Sequence, residues 1–188
     1  MREYVTENLI VRPYRPSDYK LWKEGIDNRL PPQNKFDAGK IENADKEYFY
    51  DFLSFLGEMK KKDKLYVLAA FEKESGKHVG VLEYTILLRN GFDWGLFGIS
   101  IHNQFWNKGY GKELTKLAID VAKDFGISRL ECDIEEDNVQ SKRMIAKFGF
   151  SYEGKRKNFY YNGMDYVDMD VYTKILRGET DGKHERQG

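Results

Sequence analysis

The chain contains little cysteine, histidine or proline: one, three and four residues respectively among 188. A single cysteine, Cys132, excludes a disulfide within the chain. Its place in an alternating, strand-like run predicts a buried structural thiol rather than a nucleophile. The histidines at positions 78, 102 and 184 are scattered without the spacing of metal ligands, so we predict no metal site.

Neither sign of charge is in excess. Lysine plus arginine and aspartate plus glutamate number 31 each, so the formal charge is zero. This balance gives no general reason to expect nucleic acid or an anionic membrane as a partner. The chain also has no apolar run long enough to cross a bilayer, and its first residues lack the apolar centre of a signal peptide. We therefore expect a cytoplasmic protein.

A basic, glycine-containing turn joins a strand-like run to a strongly periodic segment. Residues 94–101 are apolar and β-branched, whereas residues 114–125 carry apolar side chains at the spacing of one helical face. Gly109 and Gly111 therefore stand where a helix begins. The first N–H groups of a helix have no internal partner and carry the positive end of its dipole. The turn thus predicts a pyrophosphate site, although an ordinary strand-to-helix turn would share this composition.

The spacing of the glycines in this turn distinguishes between the classes of phosphate-containing ligand that it could bind. No Gly-Lys-Ser/Thr follows a glycine at the distance that a P-loop requires. A dinucleotide fingerprint requires glycine or alanine where Leu114 stands. The remaining pattern resembles the acyl-coenzyme A turn of the GNAT acetyltransferase superfamily, Gln/Arg-x-x-Gly-x-Gly/Ala, with Trp106 at the Gln/Arg position. The form Trp-x-Lys-Gly-Tyr-Gly is similar to the branch that contains ribosomal-protein N-terminal acetyltransferases and spermidine acetyltransferases.

A second motif lies downstream and carries the same resemblance. The run that begins at Asn138 matches Asn-x-x-Ser and ends in Gly149-Phe150. Asn138 also suits the N-cap of a helix, and Gly149 suits its end, so a plain short helix explains the same residues. A hairpin signal at Asn162-Gly163 then follows, as in the same branch.

The order of predicted elements agrees with the resemblance. Strands are expected at residues 8–14, 65–72, 79–88, 94–101 and 129–134 and in the hairpin that ends at 175, and helices begin at Ser17-Asp18, Asn43, Gly109 and Asn138. The fold class is α/β (α+β): a mixed, mostly antiparallel sheet of about seven strands with helices on both faces. No linker divides residues 1–176, which we expect to form one domain, and the polar residues 177–188 are expected to be a disordered tail.

The resemblance implies acetyl-coenzyme A as co-substrate, without a metal. Backbone groups of Ile99, Ser100 and Ile101 would pair with the pantetheine arm like an added strand, and the N–H of Ile99 or a neighbour would polarise the thioester carbonyl. Asn138 would bond the pantetheine arm. The pyrophosphate would lie against Trp106, Asn107, Lys108, Gly109, Tyr110, Gly111 and Lys112.

Fewer residues are implied for proton transfer. Attack by an amine on the thioester needs a base for the amine and an acid for the departing thiolate. The tyrosine that many family members use as the acid is replaced by Ile145. Ser141 matches a serine of the ribosomal-protein branch and is the candidate acid, against a purely capping role. The usual strand positions for the base hold leucine and phenylalanine. We therefore select Glu83 from the substitutes Glu83, Asp93, His102 and Glu131, each of which is also a plausible solvated residue.

These features predict an N-acetyltransferase that acts on a primary amine by direct attack. A lysine-like amine has a pKa of about 10.4 and an α-amine one of about 7.8, so the first needs about 3.5 kcal/mol more to become neutral. A site with a weak base thus favours a peptide or protein N-terminal α-amine. The alternatives are a polyamine or small-amine acetyltransferase, a catalytically silent acetyl-coenzyme A sensor and a nucleotide-binding protein. Homodimer formation is left open.

Overall fold

The computed structural model describes residues 2–37 and 41–176. The helices are α1 (Tyr19–Asp27), α2 (Lys46–Lys61), α3 (Tyr110–Asp124) and α4 (Val139–Ala146), with 3₁₀ turns at Pro16–Asp18 and Asn103–Phe105. The strands are β1 (Tyr4–Val5), β2 (Leu9–Arg12), β3 (Leu65–Glu72), β4 (His78–Leu88), β5 (Trp94–Ile101), β6 (Arg129–Glu135), β7 (Ser151–Tyr161) and β8 (Tyr166–Ile175). The tail predicted for residues 177–188 lies outside the described residues.

The strands form one mixed sheet in the order β1-β2-β3-β4-β5-β6-β8-β7. Only β5 and β6 pair in parallel, and every other neighbouring pair is antiparallel. The prediction of a mostly antiparallel sheet is confirmed. Eight strands are present in the described part of the chain instead of about seven, because the short β1 pairs with β2 through Tyr4 and Val5.

Helices cover both faces of the sheet, as the sequence predicted. Apolar residues on α3, including Leu114, Ala118 and Val121, are buried against the first face. On the other face, a smaller aromatic cluster joins Trp22 of α1 to Phe49 of α2. Because strand side chains alternate between faces, the central strands are buried from both sides.

Turn chemistry was predicted well, and one helix start was wrong. Asn90 and Gly91 have φ values of 62° and 91°, the positive values that a tight hairpin turn requires. Helix α2 begins after Asp45, whose carboxylate accepts a hydrogen bond from the Tyr48 N–H at 2.8 Å. Asn43, the predicted start, instead has a left-handed backbone with φ of 54°.

Strands β5 and β6 diverge after a short parallel pairing. They pair only from Trp94 opposite Arg129 to Leu96 opposite Glu131. Strand β5 then continues to Ile101 and β6 to Glu135 without pairing to each other. The divergence leaves an opening in the sheet beside residues 97–101.

Candidate active site

A cavity of about 760 Å³ lies beside the free end of β5. Its walls come from the end of β5, the turn before α3, the beginning of α4 and residues 29–37. The predicted residues that line it are Ile99, Ser100, Ile101, Trp106, Asn107, Gly109, Tyr110, Gly111, Lys112, Asn138 and Ser141. Lys108 and Glu83 are not part of its lining. Fold and turn thus bring both sequence motifs to one site.

The turn before α3 presents unpaired backbone donors to this cavity. Gly109 has φ of 85°, a left-handed conformation that glycine adopts without strain, and its carbonyl accepts the first helical bond from the Glu113 N–H at 3.1 Å. The N–H groups of Tyr110, Gly111 and Lys112 therefore have no acceptor among the described residues. Three such donors at the positive end of a helix suit a bound pyrophosphate.

Lys108 points away from the cavity. Its ammonium lies 3.2 Å from a Glu72 carboxylate oxygen, and the Tyr110 hydroxyl donates to the same oxygen. Hydrogen bonds from Ser75 and Tyr110 lower the pKa of Glu72 to about 2, and burial together with Glu72 raises the pKa of Tyr110 to about 12. Because its hydroxyl is engaged there, Tyr110 does not replace the missing acid. Among residues 2–37 and 41–176, Lys112 is the only lysine in the cavity lining.

Trp106 closes the end of β5. Its indole N–H donates to the Ile101 carbonyl at 2.8 Å. A carbonyl oxygen has two acceptor positions, and this bond uses one of those of Ile101. Ile99 and Ser100, which also lie beside the opening, receive no such bond from Trp106. The tryptophan at the Gln/Arg position of the motif therefore forms a hydrogen bond with the protein's own strand β5.

Asn138 and Ser141 form the beginning of α4. The Asn138 side-chain oxygen accepts from the Ser141 N–H at 3.1 Å, which confirms the predicted N-cap. The Asn138 amide N–H groups and the Ser141 hydroxyl have no partner within residues 2–37 and 41–176. The cap therefore leaves the amide N–H groups of Asn138 unused. Ile145, at the tyrosine position, is buried in the core.

Glu83 lies on β4, directly opposite Gly98 of β5. A Cβ atom on Gly98 would lie 2.8 Å from a Glu83 carboxylate oxygen, so this side chain covers the glycine. Burial raises the pKa of Glu83 above its ordinary value, although part of the side chain reaches solvent. Gly98 and the cavity-lining Ser100 share one face of β5, because strand side chains alternate.

The other substitutes for the base are placed less suitably. Glu131 is 1% exposed and bound by Arg129 at 2.5 Å and Arg156 at 3.0 Å. Asp93 lies before β5, at the end of the strand away from the cavity. His102 is enclosed in a hydrogen-bonded chain.

That chain is the feature that the sequence did not reveal. The Tyr14 hydroxyl lies 2.9 Å from His78 Nε2, and His78 Nδ1 lies 3.1 Å from His102 Nε2. His102 Nδ1 in turn lies 3.3 Å from Arg29, which pairs with Asp37. Burial lowers the pKa of His78 to about 3 and that of His102 to about 4, assisted by His102 and Arg29 respectively. Two of the three histidines expected to be scattered, His78 and His102, are thus in contact, and His184 lies outside the described residues.

Cys132 is 6% exposed, and burial raises the pKa of its thiol. This agrees with the predicted structural role. In the described ranges, no group of three or more metal-ligating side chains is arranged around a common point. No helix of residues 2–37 and 41–176 is long and apolar enough to span a membrane.

A family model described as "Acetyltransferase (GNAT) domain" matches residues 8–151, which include the turn before α3 and all of the second motif. The chain belongs to the GNAT acetyltransferase family. This result confirms the resemblance carried by the two motifs, and the GNAT fold is one that uses acetyl-coenzyme A.

Individual relatives agree with this assignment. The GNAT chain is similar to the probable N-acetyltransferase YjcK of Bacillus subtilis (strain 168), at 27% identity over 164 residues, or 84% of this chain and 89% of YjcK. The family match, with which this relative agrees, makes the chain a member of the GNAT N-acetyltransferase family. In fold it is similar to a ribosomal-protein-S5-alanine acetyltransferase from Vibrio fischeri, with 20% identity, a TM-score of 0.74 and coverage of 94% and 98% of the two chains. Mycobacterium smegmatis RimJ in complex with CoA-disulfide gives 15% identity, a TM-score of 0.74 and coverage of 89% and 81%.

Proposed function

We propose that the chain transfers the acetyl group of acetyl-coenzyme A to a peptide or protein N-terminal α-amine by direct attack. The observation that carries this proposal is the position of three unpaired N–H groups, from Tyr110, Gly111 and Lys112, in the lining of one cavity with the unpartnered Ser141 hydroxyl. The donors suit the pyrophosphate, and the hydroxyl suits the thioester end.

Each proton has an assigned residue. The amine nitrogen attacks the thioester carbon, and the carbon–sulfur bond breaks as the amide bond forms. Glu83 accepts the proton that the amine loses, through water, because Glu83 does not line the cavity. Ser141 donates its hydroxyl proton to the departing thiolate and is reprotonated through water by the Glu83 carboxyl, so that both residues return to their starting states. The raised pKa of Glu83 makes it a stronger base than an ordinary glutamate.

The acceptor follows from the strength of this base. Even with a raised pKa, a carboxylate is weak against a lysine-like ammonium, whose pKa is about 10.4, and better matched to an α-ammonium near about 7.8. The structural neighbour from Vibrio fischeri, described as a ribosomal-protein-S5-alanine acetyltransferase, supports a protein acceptor.

An amine panel tests the proposal. Thiol release from acetyl-coenzyme A is measured with an N-terminal peptide, the same peptide blocked at its N-terminus but carrying a lysine, and spermidine, at several pH values. We expect the highest kcat/KM near pH 7 for the free N-terminus. Preference for spermidine or the lysine peptide would overturn the acceptor assignment. Tight binding of acetyl-coenzyme A by calorimetry without turnover of any amine would identify a silent sensor instead.

A further inference from the structure

Arg29 fixes the direction of every hydrogen bond in the buried histidine chain. A guanidinium only donates, so His102 Nδ1 must accept from Arg29. The proton of neutral His102 then lies on Nε2 and is donated to His78 Nδ1. By the same reasoning, the His78 proton lies on Nε2 and is donated to the Tyr14 oxygen. Both imidazoles are therefore neutral, each in one defined tautomer.

The two imidazole rings are closely packed against helix α1. A Cβ atom on Gly25 of α1 would lie 3.0 Å from His102 Nε2 and from His78 Nδ1, so the rings pack directly on the helix backbone. The titratable and charged groups that act on the pair are Tyr14, Arg12, Asp18 and Arg29. Of these, only Asp18 carries negative charge, and it is bound by Arg12 at 2.7 Å. A second proton on either ring would place two donors face to face.

Arg29 connects the histidines to residues 29–37, which we name the 29–37 segment. Its guanidinium pairs with Asp37, whose side chain is fully buried. Asp37 also accepts from Asn103 at 2.7 Å, and Asn103 exchanges two hydrogen bonds of 2.8 Å with the backbone of Leu30. The 29–37 segment is thereby attached to the residues that follow β5.

This segment supplies one wall of the cavity. Arg29, Asn34, Phe36 and Asp37 line it, and none of them belongs to the motifs assigned to acetyl-coenzyme A. Across the opening, Lys35 forms an exposed 2.5 Å ion pair with Asp137, close to the start of α4. Once the coenzyme residues are assigned, the 29–37 segment is the wall of the cavity that remains available to the amine acceptor.

We propose that His78 and His102 are positioning residues, which hold the 29–37 segment in place as the acceptor-side wall by providing Arg29 with its buried hydrogen-bond acceptor. Arg29 Nε is already buried without a partner in the described part of the chain. Loss of the His102 acceptor would leave a second donor of the same guanidinium unpaired. Because a buried unpaired donor costs free energy, the segment would move away from its present position. This inference rests on the proposed function for the identity of the wall, but the attachment itself is independent of it.

Three variants test the proposal. His102→Phe removes the acceptor for Arg29, whereas His102→Asn keeps an acceptor oxygen close to the position of Nδ1. Tyr14→Phe removes only the far end of the chain, so it reproduces a loss of stability without changing the contact to Arg29. Amide hydrogen exchange of the 29–37 segment is measured at pH 7, together with KM for the best amine of the panel and calorimetric Kd for acetyl-coenzyme A.

We expect His102→Phe to raise the amine KM and the exchange rate of the segment about tenfold each, with the Kd of acetyl-coenzyme A unchanged. His102→Asn should restore most of both, and Tyr14→Phe should change neither. Equal effects of His102→Phe and Tyr14→Phe, or unchanged exchange in His102→Phe, would overturn the positioning role. If His102→Phe does not fold, failure of His102→Asn to keep the wild-type exchange rate would overturn it. If the wild type turns over no amine, the proposed function fails, while the exchange comparison still decides the attachment.

Discussion

At the scale of single residues, the two glycines at the start of α3, Gly109 and Gly111, have different roles. Gly109 has a left-handed backbone with φ of 85°, and a Cβ atom there would meet no heavy atom within 4 Å. Gly111 lies inside the first turn of α3, where an added Cβ would make an ordinary contact of 3.8 Å with Met144. Only Gly109 is required by backbone conformation.

Gly109→Val should weaken acetyl-coenzyme A binding by more than about tenfold, because a β-branched residue at positive φ shifts the unpaired N–H groups that follow it. Isothermal titration measures the affinity, and circular dichroism checks the fold. Gly163→Val is the matched control, since Gly163 also has positive φ, 99°, and open space, but lies in the β7–β8 turn. Equal affinity of the two variants would contradict the phosphate assignment.

Ser141→Ala should lower kcat by roughly one to two orders of magnitude with little change in acetyl-coenzyme A affinity, because a proton donor acts in the transition state. Its N–H, which Asn138 caps, is retained in alanine. The unaltered cap predicts a melting temperature close to that of the wild type. Full kcat in this variant would assign Ser141 to the helix start alone.

At the scale of elements, the register of β4 and β5 sets the surroundings of Glu83, the proposed base. It places Glu83 across from Gly98, and the missing side chain at 98 gives the carboxylate its space. The sequence predicted both strands to within a residue at each end. The sequence did not predict this register, because the pairing partners of a strand are set by the whole sheet. The register was therefore not available as a reason to prefer Glu83 over Glu131.

Gly98→Ala tests this register. The new methyl group would lie 2.8 Å from the Glu83 carboxylate and force it to move. We expect a loss in kcat/KM for the amine similar to that of Glu83→Gln, with acetyl-coenzyme A affinity retained. The double variant should be no worse than either single variant, since both remove the same function. Additive losses would show that the two residues act separately.

Local signals explain which elements the sequence predicted. Hairpin turns at Asn90-Gly91 and Asn162-Gly163 depend on residues that tolerate positive φ, and the α3 face depends on helical spacing. Strand β1 has two residues and exists only through its pairing with β2, so no period marks it. The start of α2 was misplaced because Asn43 and Asp45 are both good caps, and tertiary packing selects between them.

At the scale of the whole molecule, the histidine chain is what sequence reasoning could not reach. His78 and His102 are 24 positions apart, and Arg29 is 73 positions from His102. Their contact depends on the β4–β5 pairing and on the docking of α1 at Gly25, which are global properties of the fold. The turn before α3, in contrast, is contained in consecutive residues, and its place at the start of a helix was predicted from them.

The same chain makes folding stability sensitive to pH. Both histidines are neutral in the fold, with pKa values of about 3 and about 4, whereas unfolded histidine titrates near about 6.5. The unfolded state therefore binds more protons below about pH 6.5, and stability falls as the pH decreases through that value toward about 4, by as much as about 1.4 kcal/mol per pH unit for each histidine.

Urea denaturation between pH 7.5 and pH 5 measures this slope, in a window where most carboxylates remain ionised. The wild type should lose stability steadily below about pH 6.5, and His102→Asn, which has one histidine fewer in the chain of bonds, should lose it less steeply. An identical slope in the two proteins would show that His102 does not titrate on unfolding.

The burial of Cys132 has a practical consequence for measurements on this protein. Its thiol is the only one in the 188 residues and stays covered and protonated in the fold. A thiol-specific dye added during turnover therefore reports coenzyme A alone, with one equivalent for every acetyl group transferred. When the sheet opens around β6, the same dye gains one protein equivalent, so a single reagent counts both catalysis and unfolding.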